Sequence, residues 1–139
     1  LLKQLCDDGY HVSLETSGAL DISKTDTRVS RIVDVKTPSS QEQHRNLVEN
    51  YDYLTPHDQI KFVICNREDY EWSKLQVEQY KLNEKVSTVW FSPAFAIEKG
   101  AVRLPQLARD LAQWILEDHI PVRFQLQLHK LLWNDECLL

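Results

Sequence analysis

Short apolar runs alternate with longer amphipathic stretches along the 139 residues of this chain. Apolar residues at helical spacing predict helices over 41–54, 66–82 and 104–118, after an opening helix that ends at Gly9. Strands that alternate with helical crossovers form parallel sheets, so we predict an α/β fold. The runs with the length and composition of strands are 11–15, 31–36, 59–65, 86–91 and 122–128.

The most apolar runs define the core of the predicted sheet. The run 59–65 is nearly continuous in apolar residues, which is typical of a strand buried on both faces. Five strands are too few for a closed eight-stranded barrel, and no linker or repeat divides the chain, so we predict one domain over 1–139. The residues expected in the core are Ile60, Phe62, Val63, Ile64, Val89, Phe124, Leu126 and Leu128, covered by Leu47, Leu107, Leu111 and Ile115.

Polar side chains follow the predicted strands where each strand ends. Parallel strands bring their carboxyl ends to one rim, where ligands bind in many α/β folds. Glu15 and Ser17 would meet Asp34 and Lys36 there, and this mixture of charges suits a zwitterionic ligand, such as an amino acid or a carboxylated heterocycle. Ordinary solvated strand ends, with Ser17-Gly18 as a polar turn, are the alternative. Later strands would add Asn66, Ser92, His129 and Lys130 to this rim.

Two glutamines on the last predicted strand extend this set. Gln125 and Gln127 alternate with apolar residues, so their amides would share one face of the strand. An inward pair could bind the edge of a heterocycle, because each amide both donates and accepts hydrogen bonds. The alternative is that both amides face solvent.

Composition narrows the classes of function. The formal net charge of −5 argues against a broad nucleic-acid-binding surface, which needs clustered Lys and Arg. No apolar run reaches the ~18–20 residues of a membrane span. The scattered cysteines Cys6, Cys65 and Cys137 form neither a disulfide framework nor a Cys-x-x-Cys metal motif, so we expect a cytoplasmic setting.

Six stretches, taken in order, carry a family resemblance that spans nearly the whole chain. They resemble the carboxyl-terminal part of the 7-carboxy-7-deazaguanine synthases, which are radical S-adenosylmethionine enzymes of queuosine and 7-deazapurine biosynthesis. The ordered set is more specific than any one member. The stretches are Glu15-Thr16-Ser17-Gly18, Asp34-Val35-Lys36-Thr37-Pro38-Ser39-Ser40, Asp58-Gln59-Ile60-Lys61-Phe62-Val63, Phe91-Ser92-Pro93, Arg123-Phe124-Gln125-Leu126-Gln127-Leu128-His129-Lys130 and Trp133-Asn134-Asp135-Glu136.

The resemblance implies a fold and a chemistry. The fold would be a partial parallel β/α barrel, the carboxyl-terminal half of a radical S-adenosylmethionine barrel. The family converts 6-carboxy-5,6,7,8-tetrahydropterin into 7-carboxy-7-deazaguanine by a radical ring contraction that expels ammonia, so it is a carbon–nitrogen lyase. The resemblance further implies S-adenosyl-L-methionine, a 4Fe–4S cluster and Mg2+ as cofactors, a homodimer, and a flavodoxin-like reductant.

Site residues follow from the same resemblance, position by position. Glu15, Gln127 and His129 match positions that contact the pterin substrate or stand beside it. Ser17, Asp34 and Lys36 match the strand ends that bind S-adenosylmethionine. No nucleic-acid or membrane partner is implied.

The chain departs from the family where the cluster should bind. The family holds its cluster with three cysteines near the amino terminus, and neither these nor the Gly-Gly-Glu-Pro-like motif for S-adenosylmethionine occurs here. The family's usual Pro-Gly after Asn134-Asp135-Glu136 is replaced by Cys137-Leu138-Leu139. We therefore expect a chain that lacks the amino-terminal half of the barrel and is inactive alone. Two alternatives stay open: a truncated, inactive module that binds a pterin or nucleoside, and another radical S-adenosylmethionine activating enzyme.

Overall fold

One five-stranded sheet organises the molecule. The computed structural model describes residues 1–95 and 106–133. The strands are β1 (Ser13–Ser17), β2 (Ser30–Val35), β3 (Gln59–Ile64), β4 (Thr88–Pro93) and β5 (Arg123–Phe124). The α-helices are α1 (Leu2–Asp7), α2 (Arg67–Tyr80), α3 (Leu82–Lys85), α4 (Gln106–Asp118) and α5 (Leu128–Trp133), and 3-10 helices lie at Pro38–Ser40, Gln43–Arg45 and Val48–Tyr53.

Each strand pairs with the next one along the chain, and all four pairs are parallel. The strand order is therefore β1-β2-β3-β4-β5. This arrangement confirms the predicted α/β fold with a parallel sheet. Because the strands share one direction, their carboxyl ends lie along one edge of the sheet, where the sequence predicted the site.

The two faces of the sheet differ in burial. Along β2 and β3 every second residue is buried, and the residues between them are half-exposed. We call the half-exposed side the open face. The buried side packs against α2 and α4, and its core consists of Val33, Val35, Ile60, Phe62, Ile64, Val89 and Phe91 from the sheet with Tyr70, Val77 and Leu111 from the helices.

The sequence defined α2 closely. The Asn66 side chain caps the helix by accepting a hydrogen bond from the backbone N–H of Asp69 at 2.9 Å. Lys81, with φ of 50°, adopts the left-handed conformation that ends it. The predicted helix over 66–82 is thereby confirmed to within two residues. Helix α4 likewise matches the prediction as far as it is described, since 104 and 105 lie outside the described residues.

The predicted helix over 41–54 is wrong. Short 3-10 helices occupy this segment, and Leu47, expected in the core, is 37% exposed. The reason is that two asparagines point inward instead. Asn46 and Asn50 hydrogen-bond to the backbone of the segments that follow β2 and β1, and asparagine side chains readily replace helical hydrogen bonds in this way.

Two expectations about the strands also need correction. Strand β3 is not buried on both faces, because Val63 on the open face is half-buried. The strand predicted over 122–128 is only two residues long, and Leu128, expected in the core, is 61% exposed at the start of α5. The carbonyl oxygen of Phe91 accepts a hydrogen bond from the N–H of Gln125. The next residue of β4 that faces β5 is Pro93, and its N–H would have to continue the ladder. Proline has no N–H, and the ladder ends there.

A buried ion pair joins β2 and β3 at their amino ends, away from the predicted rim. Arg31 and Asp58 are 2% and 0% exposed, and Arg31 Nη2 lies 2.6 Å from Asp58 Oδ2. The carboxylate also accepts hydrogen bonds from the backbone N–H groups of Arg31 and Thr55. The guanidinium donates to the carbonyl oxygens of Ile22 and Tyr53. Every charge of the pair is thus compensated, which is the condition for tolerating it in the interior.

Candidate functional site

Four of the six predicted site residues lie together on the open face, at one edge of the sheet. Glu15 and Ser17 belong to β1, Asp34 belongs to β2, and Lys36 follows it directly. The strand register sets Ser17 beside Asp34, and residues in register on parallel strands point to the same face. Glu15 is exposed, whereas the other three are half-buried.

Asp34 and Lys36, two residues apart in the chain, form an ion pair. Lys36 Nζ lies 2.6 Å from Asp34 Oδ2, and each side chain is about one third exposed. Water screens a pair with this exposure, so the pair contributes little to stability. The other carboxylate oxygen of Asp34, Oδ1, has no hydrogen bond among the described residues, and Lys36 Nζ has further protons to donate. The pair therefore offers both an acceptor and donors to a ligand at one point.

Gly18 directly follows β1, at a position where a side chain would crowd its neighbours. A Cβ at Gly18 would lie 3.3 Å from both Asn46 Oδ1 and the Asp34 carbonyl oxygen. The Gly18 N–H donates to the same Asp34 oxygen at 2.9 Å. The close approach fixes the exit of β1 against the exit of β2, and so fixes Ser17 relative to Asp34. The Ser17 hydroxyl oxygen accepts a hydrogen bond from the N–H of Ala19 at 3.2 Å, which leaves its O–H free to donate.

Asn46 holds the segment that carries Lys36. Its Oδ1 accepts from the Lys36 N–H at 3.0 Å and its Nδ2 donates to the Lys36 carbonyl oxygen at 2.8 Å. One amide side chain thus satisfies both backbone groups of Lys36, as a neighbouring strand would. Nothing in the sequence around Asn46 pointed to this role, because the apolar residues of 41–54 have helical spacing.

Asp69 does the same for the next part of the rim. Its side chain is fully buried, and its two oxygens accept hydrogen bonds from the N–H groups of Ser39 and Cys65, both at 2.9 Å. It thereby ties the segment after β2 to the segment after β3. Asn66 adds a bond from its Nδ2 to the Ser39 hydroxyl at 2.8 Å. The sequence suggested only that Asp69 favours the first turn of α2.

The other two predicted site residues do not lie on a common strand. Gln127 is half-buried in the loop after β5, and His129 is exposed in α5. The expectation that Gln125 and Gln127 share one face of a strand is wrong, because β5 ends at Phe124. Strand β5 lies four places from β1, and at ~4.8 Å per place these strands stand roughly 19 Å apart along the sheet. The described contacts do not bring either residue to the Asp34–Lys36 pair.

Lys61, Trp90 and Ser92 also lie on the open face, and of these the sequence had placed only Ser92 at the rim. Lys61 lies in register with Asp34 on one side and with Trp90 on the other. The Trp90 indole N–H donates to Gln59 Oε1 at 2.7 Å. Ser92, placed on the rim from the sequence, is buried on this face beside Val63. A lysine at an alternate position of an otherwise apolar strand was the available signal.

Metal-binding groups are absent from the part of the chain that the structure describes. No group of three or more His, Cys, Asp or Glu residues there converges on a common point. Cys6 lies half-buried in α1 and Cys65 is exposed after β3, whereas Cys137 lies outside the described residues. Within 1–95 and 106–133, no helix is long and apolar enough to cross a membrane.

Known proteins with similar sequences share one name. No protein-family model matches the chain. A 7-carboxy-7-deazaguanine synthase of Koribacter versatilis is 44% identical over 97% of this chain and 62% of its own length. A protein of the same name from Chlorobaculum tepidum is 37% identical over 99% of this chain and 60% of its own length. One from Methanospirillum hungatei is 29% identical over 95% of this chain and 50% of its own length.

The resemblance that the motifs predicted is thus confirmed along nearly the whole chain. This chain is a relative of part of the 7-carboxy-7-deazaguanine synthases. It spans about three fifths of the length of the first two relatives.

Proposed function

We propose that this chain forms the carboxyl-terminal part of a radical S-adenosylmethionine enzyme that converts 6-carboxy-5,6,7,8-tetrahydropterin into 7-carboxy-7-deazaguanine. Residues 1–139 would be the second half of one barrel domain, and the open face of the sheet would line its interior. The observation that carries the proposal is the grouping of Glu15, Ser17, Asp34 and Lys36 on that face, together with the name shared by the relatives.

Glu15 would bind the pterin. Its carboxylate is exposed on the open face, and no hydrogen bond to another described residue occupies it. A pterin presents an amino group and ring N–H groups along one edge, and a carboxylate accepts bonds from both. Hydrogen bonds to a charged group contribute about 1.5–3 kcal/mol each, so one such residue has a measurable effect on affinity. We propose Gln127 and His129 as the other pterin-binding residues, on the far side of the barrel.

Ser17, Asp34 and Lys36 would bind S-adenosylmethionine. A carboxylate at the end of a parallel strand is well suited to accept hydrogen bonds from ribose hydroxyls. The free proton of Ser17 and the ammonium of Lys36 add donors next to it. When bound to its cluster, S-adenosylmethionine supplies the adenosyl radical of this chemistry. The residues named here would hold and orient the nucleoside.

The described residues do not fit the 4Fe–4S cluster or Mg2+. Neither Cys6 nor Cys65 has a second cysteine or a histidine in a common metal-binding group. The cluster ligands would therefore belong to the amino-terminal half of the barrel. A homodimer and a flavodoxin-like reductant, both implied by the family, complete the proposal.

Substitution of Glu15 by glutamine tests the proposal in the complete protein that contains this sequence. Glu15→Gln keeps the shape but replaces one acceptor oxygen by a donor, so that an N–H of the pterin would face another N–H. We expect the pterin to bind about tenfold more weakly or worse. Cleavage of S-adenosylmethionine in the absence of substrate should persist, because it depends on other residues.

Glu78→Gln is the matched control. Glu78 is exposed on α2, which packs against the opposite face of the sheet, and the change removes the same charge. It should leave both assays unchanged. Normal pterin affinity in Glu15→Gln, or loss of substrate-free cleavage with normal pterin binding, would remove Glu15 from the substrate site and refute its proposed role.

A further inference from the structure

Lys61 is a half-buried cation without a described counter-ion. It lies in the middle of β3 on the open face, in register with Asp34. Asp34 pairs with Lys36 instead, and no carboxylate among the described residues lies within 4.0 Å of the Lys61 ammonium. A lysine of this exposure can lay its methylene stem along the sheet while its ammonium stays accessible. The ammonium is therefore available to an anion that approaches the open face.

Ser92 supplies a second, independent sign of a ligand at the same place. Its residue is 0% exposed, yet its hydroxyl has no hydrogen-bond partner among the described residues. Buried hydroxyl groups are nearly always bonded, since leaving one unbonded is unfavourable. The register places Ser92 beside Val63, which is two residues after Lys61 on β3. Ser92 therefore points to the same face as Lys61.

Lys61 and Ser92 are close enough to bind the same group of a ligand. Neighbouring strands are ~4.8 Å apart and two residues along a strand span ~6.6 Å, so the Cα atoms of Lys61 and Ser92 stand roughly 8 Å apart. A lysine side chain easily spans this gap. Trp90, which lies beside Lys61 on β4, donates its indole N–H to Gln59, which lies toward the amino ends of the strands. That bond holds the indole away from Ser92.

We propose that Lys61 and Ser92 form a subsite for a ligand carboxylate on the open face. The ammonium supplies the opposite charge and the hydroxyl donates a second hydrogen bond. A carboxylate accepts both through its two oxygens. No other described acidic group competes for this position, because Asp34 is held by Lys36 and Glu15 lies on β1, two strands away.

With this subsite the open face has a negative group on one side and a positive group on the other. The ligand that we match to these charges rests on the proposed function. Glu15 stands at the edge strand, and the unpaired Lys61 stands two strands farther, roughly 10 Å across the sheet. A pterin that carries a carboxylate opposite its N–H-rich edge matches this arrangement of charges. The methionyl carboxylate of S-adenosylmethionine has the same chemistry, and the experiment distinguishes the two sources.

The test measures binding of four probes to the complete protein. The probes are 6-carboxy-5,6,7,8-tetrahydropterin, tetrahydropterin without the carboxylate, S-adenosylmethionine, and methylthioadenosine, which lacks the amino-acid group. Lys61→Met should weaken one carboxylated probe by about 10- to 100-fold and leave its carboxylate-free counterpart within about twofold. Which carboxylated probe is affected identifies the source. Lys61→Arg should retain most of the affinity, since it restores the charge.

Ser92→Ala adds a readout that a purely structural role would not give. Removal of an unbonded buried hydroxyl should leave the protein at least as stable as the wild type, while the same carboxylated probe binds about tenfold more weakly. Lys24→Met, which removes an exposed lysine in the loop between β1 and β2, is the matched control and should change no affinity.

The outcomes separate the inference from the proposed function. Equal weakening of a carboxylated probe and its carboxylate-free counterpart, or no weakening at all, would overturn the subsite while Glu15→Gln still tests the pterin site. If the wild-type protein binds neither pterin, the proposed function fails, and the subsite then stands only if S-adenosylmethionine shows the predicted loss. Lower stability of Ser92→Ala without any loss of affinity would assign the hydroxyl to folding.

Discussion

The buried pair of Arg31 and Asp58 offers a sharp test of what holds the sheet together. Asp58 accepts four hydrogen bonds, three of them from Arg31 and one from the N–H of Thr55, at distances of 2.6–3.0 Å. Asp58→Asn keeps the shape but replaces one acceptor oxygen by an NH2 group. That group would face an N–H donor, and the Arg31 guanidinium would be left buried without a counter-charge.

The expected loss is large compared with the stability of a domain. Removing one partner of a buried pair typically costs about 3–5 kcal/mol, because the other charge stays buried and uncompensated. Domains of ordinary size have a total free energy of unfolding of about 5–15 kcal/mol. We therefore expect Asp58→Asn to lower the free energy of unfolding by about 3–5 kcal/mol in urea titrations followed by circular dichroism.

Acid should reveal the same pair in the wild type. Burial by itself would raise the pKa of Asp58, but the hydrogen bonds from Arg31 and Thr55 outweigh it and hold the pKa below its ordinary value of 3.8. A lowered pKa in the folded state stabilises the protein above the unfolded-state pKa, and that stabilisation is lost as the pH falls through the folded-state pKa. The difference in stability between wild type and Asp58→Asn should thus shrink as the pH falls below about 4.

Two comparisons decide whether the charge explains the effect. Asp52→Asn removes an exposed carboxylate and should change the free energy of unfolding by less than about 0.5 kcal/mol. The double variant Arg31→Met with Asp58→Asn should cost less than the sum of the two single changes, because no uncompensated charge remains buried once both are made. Additive losses in the double variant, or an Asp58→Asn variant within about 1 kcal/mol of the wild type, would refute the reasoning.

The remaining predictions concern the residues that hold the rim. Asp69→Asn should lower the free energy of unfolding by about 2–4 kcal/mol, because one of two backbone N–H groups loses its acceptor beside a buried amide; Glu68→Gln, exposed next to it, should have little effect, and equal losses would contradict the assignment. Asn46→Ala should cost about 1–3 kcal/mol and also weaken S-adenosylmethionine binding, because Lys36 loses both backbone bonds. Asn83→Ala is its exposed control, and unchanged cofactor affinity in Asn46→Ala would show that Asn46 supports only the fold.

Local patterns in the sequence were sufficient for most of the elements. Runs rich in β-branched and apolar residues located β2 and β3, and the Asn66 cap marked the start of α2. These features depend on residues within a few positions of one another, so they can be read without knowing the fold. The same holds for the placement of Glu15, Ser17, Asp34 and Lys36 at strand ends, and the parallel direction of the strands then brings these four to one face.

Long-range contacts decided what the sequence alone did not. The segment 41–54 has a helical spacing of apolar residues, but Asn46 and Asn50 bond to backbone groups that lie 10 to 32 residues away in the chain. The strand predicted over 122–128 is cut short by Pro93 of its neighbour, and His129 therefore lies in a helix. Neither partner is visible within the segment that it changes. The strand patterns and the residue types at the rim thus came from the sequence, whereas the tertiary structure decided which side chains hold that rim in place, because those hydrogen bonds join segments far apart in the chain.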